Sequence, residues 1–202
     1  MILHTLPPRG AFVLPASLRP EQTFVFVAVG SGITPISGFL RTIAALQPES
    51  RPKVQLHYAS RSLQEMIYRS EIFQLDWLRQ KHYLRTEGPR MTPHQIFANA
   101  YPLSRDAQWY ICGPEALTFQ LNQTLVAMGT PSNLIHFEIF ADQSRRHFTA
   151  TASQAVVGRI AIKETGTTVD VREQETLLEA LERHGYQPEF GCRAGTCGTC
   201  QL

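Results

Sequence analysis

The chain is poor in charge, poor in cysteine over most of its length, and without a long hydrophobic run. Charged residues make up 18% of its 202 residues, and Lys plus Arg (19) nearly balance Asp plus Glu (17). A net charge of +2, with like charges dispersed, leaves no electrostatic footprint for nucleic acid or for an anionic membrane surface. The longest nearly apolar stretch, Phe24 to Val29, falls far short of the ~20 residues of a membrane helix. The N-terminal segment Met1 to Gly10 has no basic region followed by a long apolar one, so no secretory signal is expected. Neither nucleic acid nor membrane is therefore expected as a partner, and a cytoplasmic location is. His57, His82, His136 and His147 stand singly, with no His-x3-His or His-Glu-x2-His pattern for catalytic zinc. No Gly-x-Ser-x-Gly is present for a hydrolase. Of the 4 cysteines, Cys112 is isolated and Cys192, Cys197 and Cys200 crowd the C-terminal end, which points to a metal site and not to a disulfide framework.

What is present is core material and punctuation. Hydrophobic residues reach 43%, and the length suits one medium domain plus a small one. Phe24 to Val29 is a β-branched and aromatic run of the kind found in buried parallel strands. It is followed by a turn, Gly30-Ser31-Gly32-Ile33-Thr34-Pro35, and a helix to about Gln47, with Pro35 suited to the first helical position. Further strands are expected at Val54 to Ala59, Tyr83 to Thr86, Gln108 to Cys112 and Leu134 to Phe140. Helices are expected at Gln64 to Gln80, with Ile67, Ile72, Leu75 and Leu78 on one face, at Pro93 to Ala100, and from Pro114 to Met128, stopped by Gly129. This alternation predicts a parallel sheet covered on both faces, with ligands beyond the carboxyl ends of its strands. Residues 142–154 are polar, rich in small residues and aperiodic, as a linker is. Strands at Val156 to Ile162 and Thr168 to Val171 flank a Gly166 turn, and a helix from about Glu175 to His184 precedes the cysteines.

Two motifs carry chemistry. The segment Gly191-Cys192-Arg193-Ala194-Gly195-Thr196-Cys197-Gly198-Thr199-Cys200 has the Cys-x4-Cys-x2-Cys spacing of plant-type 2Fe–2S ligands, in which small residues let backbone N–H groups turn toward the sulfurs. A zinc site would favour a second pair of cysteines or histidines further on. The Gly30-x-Gly32-x-Thr34-Pro35 turn lies between a strand and a helix, so its glycines permit a tight turn and a helix N-terminus offers N–H groups to a pyrophosphate. Cys112-Gly113-Pro114 ends a later strand, again just before a helix.

Together these glycine and Cys-Gly-Pro motifs resemble the ferredoxin–NADP reductase superfamily, over nearly all of residues 8 to 140. Residues 174 to 201 resemble the plant-type ferredoxin domain of oxygenase reductases and hybrid-cluster-protein reductases. The first resemblance includes Phe137-Glu138-x-Phe140, similar to the Phe-Glu-x-Phe end of that family's nucleotide domain, and Pro8-Arg9-Gly10-Ala11-Phe12, similar to the end of its flavin barrel. It implies that Gly30, Gly32, Thr34 and Pro35 contact the dinucleotide, with Gly113 and Pro114 lining the nicotinamide. It implies catalytic roles for Cys112, which would place the nicotinamide against a flavin, and for Glu138 near the hydride-transfer centre. Ser60 and Arg61 would meet the adenosine ribose. Arg61 suits a 2′-phosphate but does not decide between NADH and NADPH, and the resemblance leans to NADH. Cys192, Cys197 and Cys200 would be three of four cluster ligands.

The expected fold is thus a Rossmann-like α/β parallel-sheet domain followed by an incomplete β-grasp 2Fe–2S domain. Expected boundaries are a flavin-barrel remnant at 1–20, the NAD(P)-binding domain at 21–141, the linker at 142–154 and the ferredoxin part at 155–202. No Arg-x-Tyr-Ser/Thr flavin motif and no fourth downstream cysteine occur, so the chain is expected to be truncated at both ends. The function implied is electron transfer from NADH or NADPH through FAD and a 2Fe–2S cluster to a redox acceptor protein, an oxygenase component or a hybrid-cluster protein. The alternative is a fragment that binds NAD(P)H without turnover.

Overall fold

The computed structural model describes residues 10, 12–100, 106–139, 155–163, 165–173, 175–188 and 190. One compact unit spans Phe12–Phe140, and a second contains the described residues from Ala155 to Phe190.

The first unit is a five-stranded parallel sheet. Its strands are β1 (Thr23–Val29), β2 (Lys53–Ser60), β3 (Arg79–Leu84), β4 (Gln108–Gly113) and β5 (Ile135–Ile139), in the spatial order β3-β2-β1-β4-β5. The chain builds outward from β1 through β2 to β3, then returns to the other side of β1 with β4. The sheet's topological switch point therefore lies between the carboxyl ends of β1 and β4. The helices are α1 (Ile33–Ala44), α2 (Arg69–Phe73), α3 (Pro93–Ala100) and α4 (Glu115–Ala127).

Alternation along the strands makes two cores. Phe24, Phe26 and Ala28 of β1 join Leu56, Tyr58, Tyr110 and Cys112 beneath Ile33, Ile36, Leu40 and Ile43 of α1. Val25 and Val27 point the other way, with Trp109 and Ile111, beneath Ile96 of α3 and Leu121 and Leu125 of α4. Burial on both faces explains why β1 is a continuous apolar run. Phe12, Leu14 and Leu18 pack against the α1-side core, so the segment from Phe12 to β1 belongs to the same body.

The expected helix over Gln64 to Gln80 is a correction. Only Arg69–Phe73 is helical, and it starts after Tyr68, whose φ of 56° is left-handed. That conformation blocks helix propagation through a non-glycine residue. Residues Arg79 and Gln80 are drawn into β3, where they pair with Gln55 and Leu56. Met66 takes the core position expected of Ile67, which is 39% exposed. Helix α1 ends at Ala44, short of Gln47, and Pro35 is its third residue, not its first. β5 starts at Ile135 because Ser132–Leu134 forms a 3₁₀ turn.

The second unit is a hairpin and a helix. β6 (Val156–Ile162) and β7 (Thr167–Arg172) pair antiparallel around Gly166, at φ 68°, and α5 (Leu177–Arg183) follows. Thr176 starts α5 with a reciprocal capping box to Glu179. Val169, Val171, Ala180 and Leu181 form its core, with Ile160, Ile162 and Tyr186 against them. The expected linker and Cys192, Cys197 and Cys200 lie outside the described residues.

Candidate functional site

Both sequence motifs of the first unit end at the switch point. β1 stops at Val29, and Gly30 turns the chain with φ 55°, a conformation natural to glycine. A 3₁₀ turn, Gly30–Gly32, leads directly into α1. Among the described residues no side chain caps the N-terminus of α1, and no acidic residue lies in its first turn, while Arg41 lies in its last. The Thr34 hydroxyl donates to the Ser31 carbonyl at 2.8 Å, which braces the turn. Pro35 sits where helical N–H groups have no intrahelical acceptor, so its missing donor has no consequence. Among the described residues, a Cβ on Gly30 would meet nothing within 4 Å, so these residues leave open space over the turn. An uncapped helix start beside an open glycine turn fits the pyrophosphate of a dinucleotide.

The second motif forms the adjacent wall. Cys112 pairs with Ala28 on one side and with Glu138 on the other. Gly113 is buried and Pro114, exposed, precedes α4. The two motifs interlock. A Cβ on Gly32 would lie 2.1 Å from the Cys112 carbonyl oxygen, and one on Gly113 would lie 3.1 Å from Cβ of Val29.

Cys112 is fully buried, in the α1-side core. Burial first, and the nearby charge of Glu138 second, push its thiol up to about 12. It therefore stays protonated at neutral pH and is no nucleophile. Glu138 is half-buried, and burial raises its carboxyl above the usual range. On the same face as Cys112, the Tyr110 ring stacks on His136 at 4.5 Å and meets Phe12 edge-on at 5.4 Å. Its hydroxyl donates to the Val13 carbonyl at 2.9 Å. These contacts escaped the sequence reading, although the Phe12 of the expected barrel-end segment was their one visible signal.

Ser60 ends β2, one residue beyond the pairing of Val29 with Ala59, and so lies beside the glycine turn. Arg61 follows, exposed, with its guanidinium 3.6 Å from Glu65. The structure thus brings Gly30, Gly32, Thr34, Pro35, Cys112, Gly113, Pro114, Glu138 and Ser60 to one end of the sheet.

Comparison with known proteins agrees with this layout. Residues 26–122 match the model of the oxidoreductase NAD-binding domain, and residues 160–202 that of the 2Fe-2S iron-sulfur cluster binding domain. The ferredoxin reductase component of 3-ketosteroid-9-alpha-monooxygenase from Mycolicibacterium smegmatis is 32% identical, over 100% of this chain and 59% of its own length. The carnitine monooxygenase reductase subunit of Escherichia coli is 32% identical, over 96% of this chain and 56% of its own. The chain therefore spans less than two thirds of these relatives. Phthalate dioxygenase reductase shares the fold, with a TM-score of 0.59 at 24% identity, covering 96% of this chain and 56% of that one. The chain thus joins a segment that matches an oxidoreductase NAD-binding domain to one that matches a 2Fe–2S iron–sulfur cluster binding domain, and it is similar to the reductase components of monooxygenases.

Proposed function

We propose that this chain is the nicotinamide-binding and iron–sulfur part of an NAD(P)H-dependent reductase, passing electrons by way of FAD and a 2Fe–2S cluster to a redox acceptor protein. The observation that carries this reading is the meeting of the Gly30–Pro35 turn and the Cys112–Pro114 wall at the switch point, in a chain that also has a 2Fe–2S domain. When bound, the cofactors supply hydride and single-electron chemistry, while the protein orients and insulates them.

In this reading the Gly30–Pro35 turn holds the pyrophosphate, and Ser60 and Arg61 meet the adenosine ribose. Gly113 and Pro114 line the nicotinamide. Cys112, buried and protonated, acts by shape, holding the wall in place, and Glu138 holds or accepts a proton beside it. Cys192, Cys197 and Cys200 supply cluster ligands by their spacing. The acceptor is an oxygenase component, as the relatives' names suggest, with a hybrid-cluster protein as the other candidate. The setting is cytoplasmic.

Calorimetric titration with NADH and NADPH tests the nucleotide half. Binding of either, weakened by Gly30→Val, is expected, and Arg61→Ala should lower NADPH affinity more than NADH affinity if Arg61 pairs a 2′-phosphate. Iron content and visible absorption of the protein carrying all four cluster ligands test the other half, both falling in Cys192→Ser. A colourless, zinc-loaded protein, or one indifferent to both nucleotides, sinks the proposal.

A further inference from the structure

The two glycines of the turn are required for different reasons. Gly30 has a left-handed φ of 55° and open space around it, so its need is conformational. Gly32 has an ordinary right-handed backbone, φ −60° and ψ −10°, which any residue adopts. Its missing side chain is instead matched by backbone from another strand. A Cβ there would stand 2.1 Å from the Cys112 oxygen, 2.6 Å from the Cys112 carbonyl carbon and 3.2 Å from the Gly113 nitrogen. The reciprocal contact sets Gly113 against Val29, with Cβ at 3.1 Å and Cγ2 at 3.2 Å. The space vacated at Gly32 is thus taken by β4 and not left for a ligand.

We propose that Gly32 is a positioning residue whose seat against the Cys112 carbonyl fixes the pyrophosphate turn relative to the nicotinamide wall. The inference rests on the nucleotide reading above and adds a coupling to it. Occupying the turn is felt at β4 because the contact falls on backbone atoms on both sides, with no side chain between them to yield. A packed backbone contact of this kind transmits displacement instead of absorbing it.

The test is an amide NMR titration of the whole chain with ADP-ribose, which carries the pyrophosphate but no nicotinamide. In the native protein the resonances of Gly30 to Thr34 move on binding, and those of Ile111 and Gly113 move with them. In Gly32→Ala, with ADP-ribose raised until the turn resonances saturate whatever the loss of affinity, the response at Ile111 and Gly113 relative to that of the turn falls at least about threefold. An undiminished response there overturns the proposal. So does a folded variant that no longer binds ADP-ribose, because Gly32 would then serve the pyrophosphate directly. Should Gly32→Ala fail to fold, Gly113→Ala takes its place, since its contact is with a side chain. Its response at Ile111 should fall and be restored by adding Val29→Gly, which removes both the Cβ and the Cγ2 that the new methyl meets, and absence of that rescue overturns the proposal. If nothing moves in the native protein, the nucleotide reading itself fails and takes this inference with it.

Discussion

Cys112 and Glu138 stand opposite one another in the β4–β5 register, and the charge of the carboxylate adds to burial in keeping the thiol protonated. The pair sits where β4 and β5 end, so a residue placed by its strand register is also placed by its electrostatics at the site.

Cys112 should therefore be the slow thiol. With its pKa pushed up to about 12, the thiolate fraction at pH 8 is lower than that of a free cysteine by about a thousandfold. Peptide-resolved iodoacetamide labelling should find Cys112 inert in the folded chain and modified promptly in denaturant. Prompt labelling of the native protein would show that the thiol is not enclosed as described.

Glu138 gives a stability difference of definite sign. Burial raises its folded pKa, so the carboxyl favours the fold most when protonated, and that contribution fades as pH rises through the folded value. Glu138→Gln should raise the thermal midpoint by up to a few degrees at neutral pH, with the gain vanishing in acid. A midpoint lowered at neutral pH would contradict it.

His57 has the opposite dependence. It is fully buried in β2, with Nδ1 2.9 Å from the Tyr83 hydroxyl oxygen. Burial first, then the positive charges of Lys81 and Arg79, lower it to about 4. Its contribution is present above the unfolded value near 6.5 and is lost as pH falls toward 4, a change on the order of 3 kcal/mol. Urea midpoints of the native chain should drop over that interval, and His57→Gln should flatten the drop.

In the second unit the start of α5 is the accessible weak point. The Thr176 hydroxyl accepts from the Glu179 N–H at 3.2 Å, and Glu179 Oε2 accepts from the Thr176 N–H at 2.8 Å. Thr176→Ala should destabilise this unit by about 1 kcal/mol. Hydrogen exchange at α5 reads this directly, and exchange unchanged from the native rate would count against the capping box.

Much of the sheet was legible because its central strands are buried on both faces, which writes a continuous apolar run such as Phe24 to Val29. Helix α3 was legible at both ends, Pro93 marking its start. The stretch from Gln64 to Gln80 was not. Its apolar spacing suits a helix, but the break lies at Tyr68, a residue type that gives no sign of a left-handed φ. At the candidate site the glycines were visible, yet the reason for Gly32 was not. That reason is the Cys112 carbonyl, far along the chain and brought close only by the strand order. The Tyr110 contacts with Phe12, Val13 and His136 were hidden for the same cause.

The placement of β1 and β4 inside the sheet bears on how the protein comes apart. β3 forms an edge, and its residues are all exposed or half-buried, whereas the middle of β1 is wholly enclosed. Partial opening should begin by peeling β3 from the flank, leaving the seam between β1 and β4 among the last regions to exchange its amide hydrogens. The glycine turn and the Cys112 wall would then outlast the frame around them.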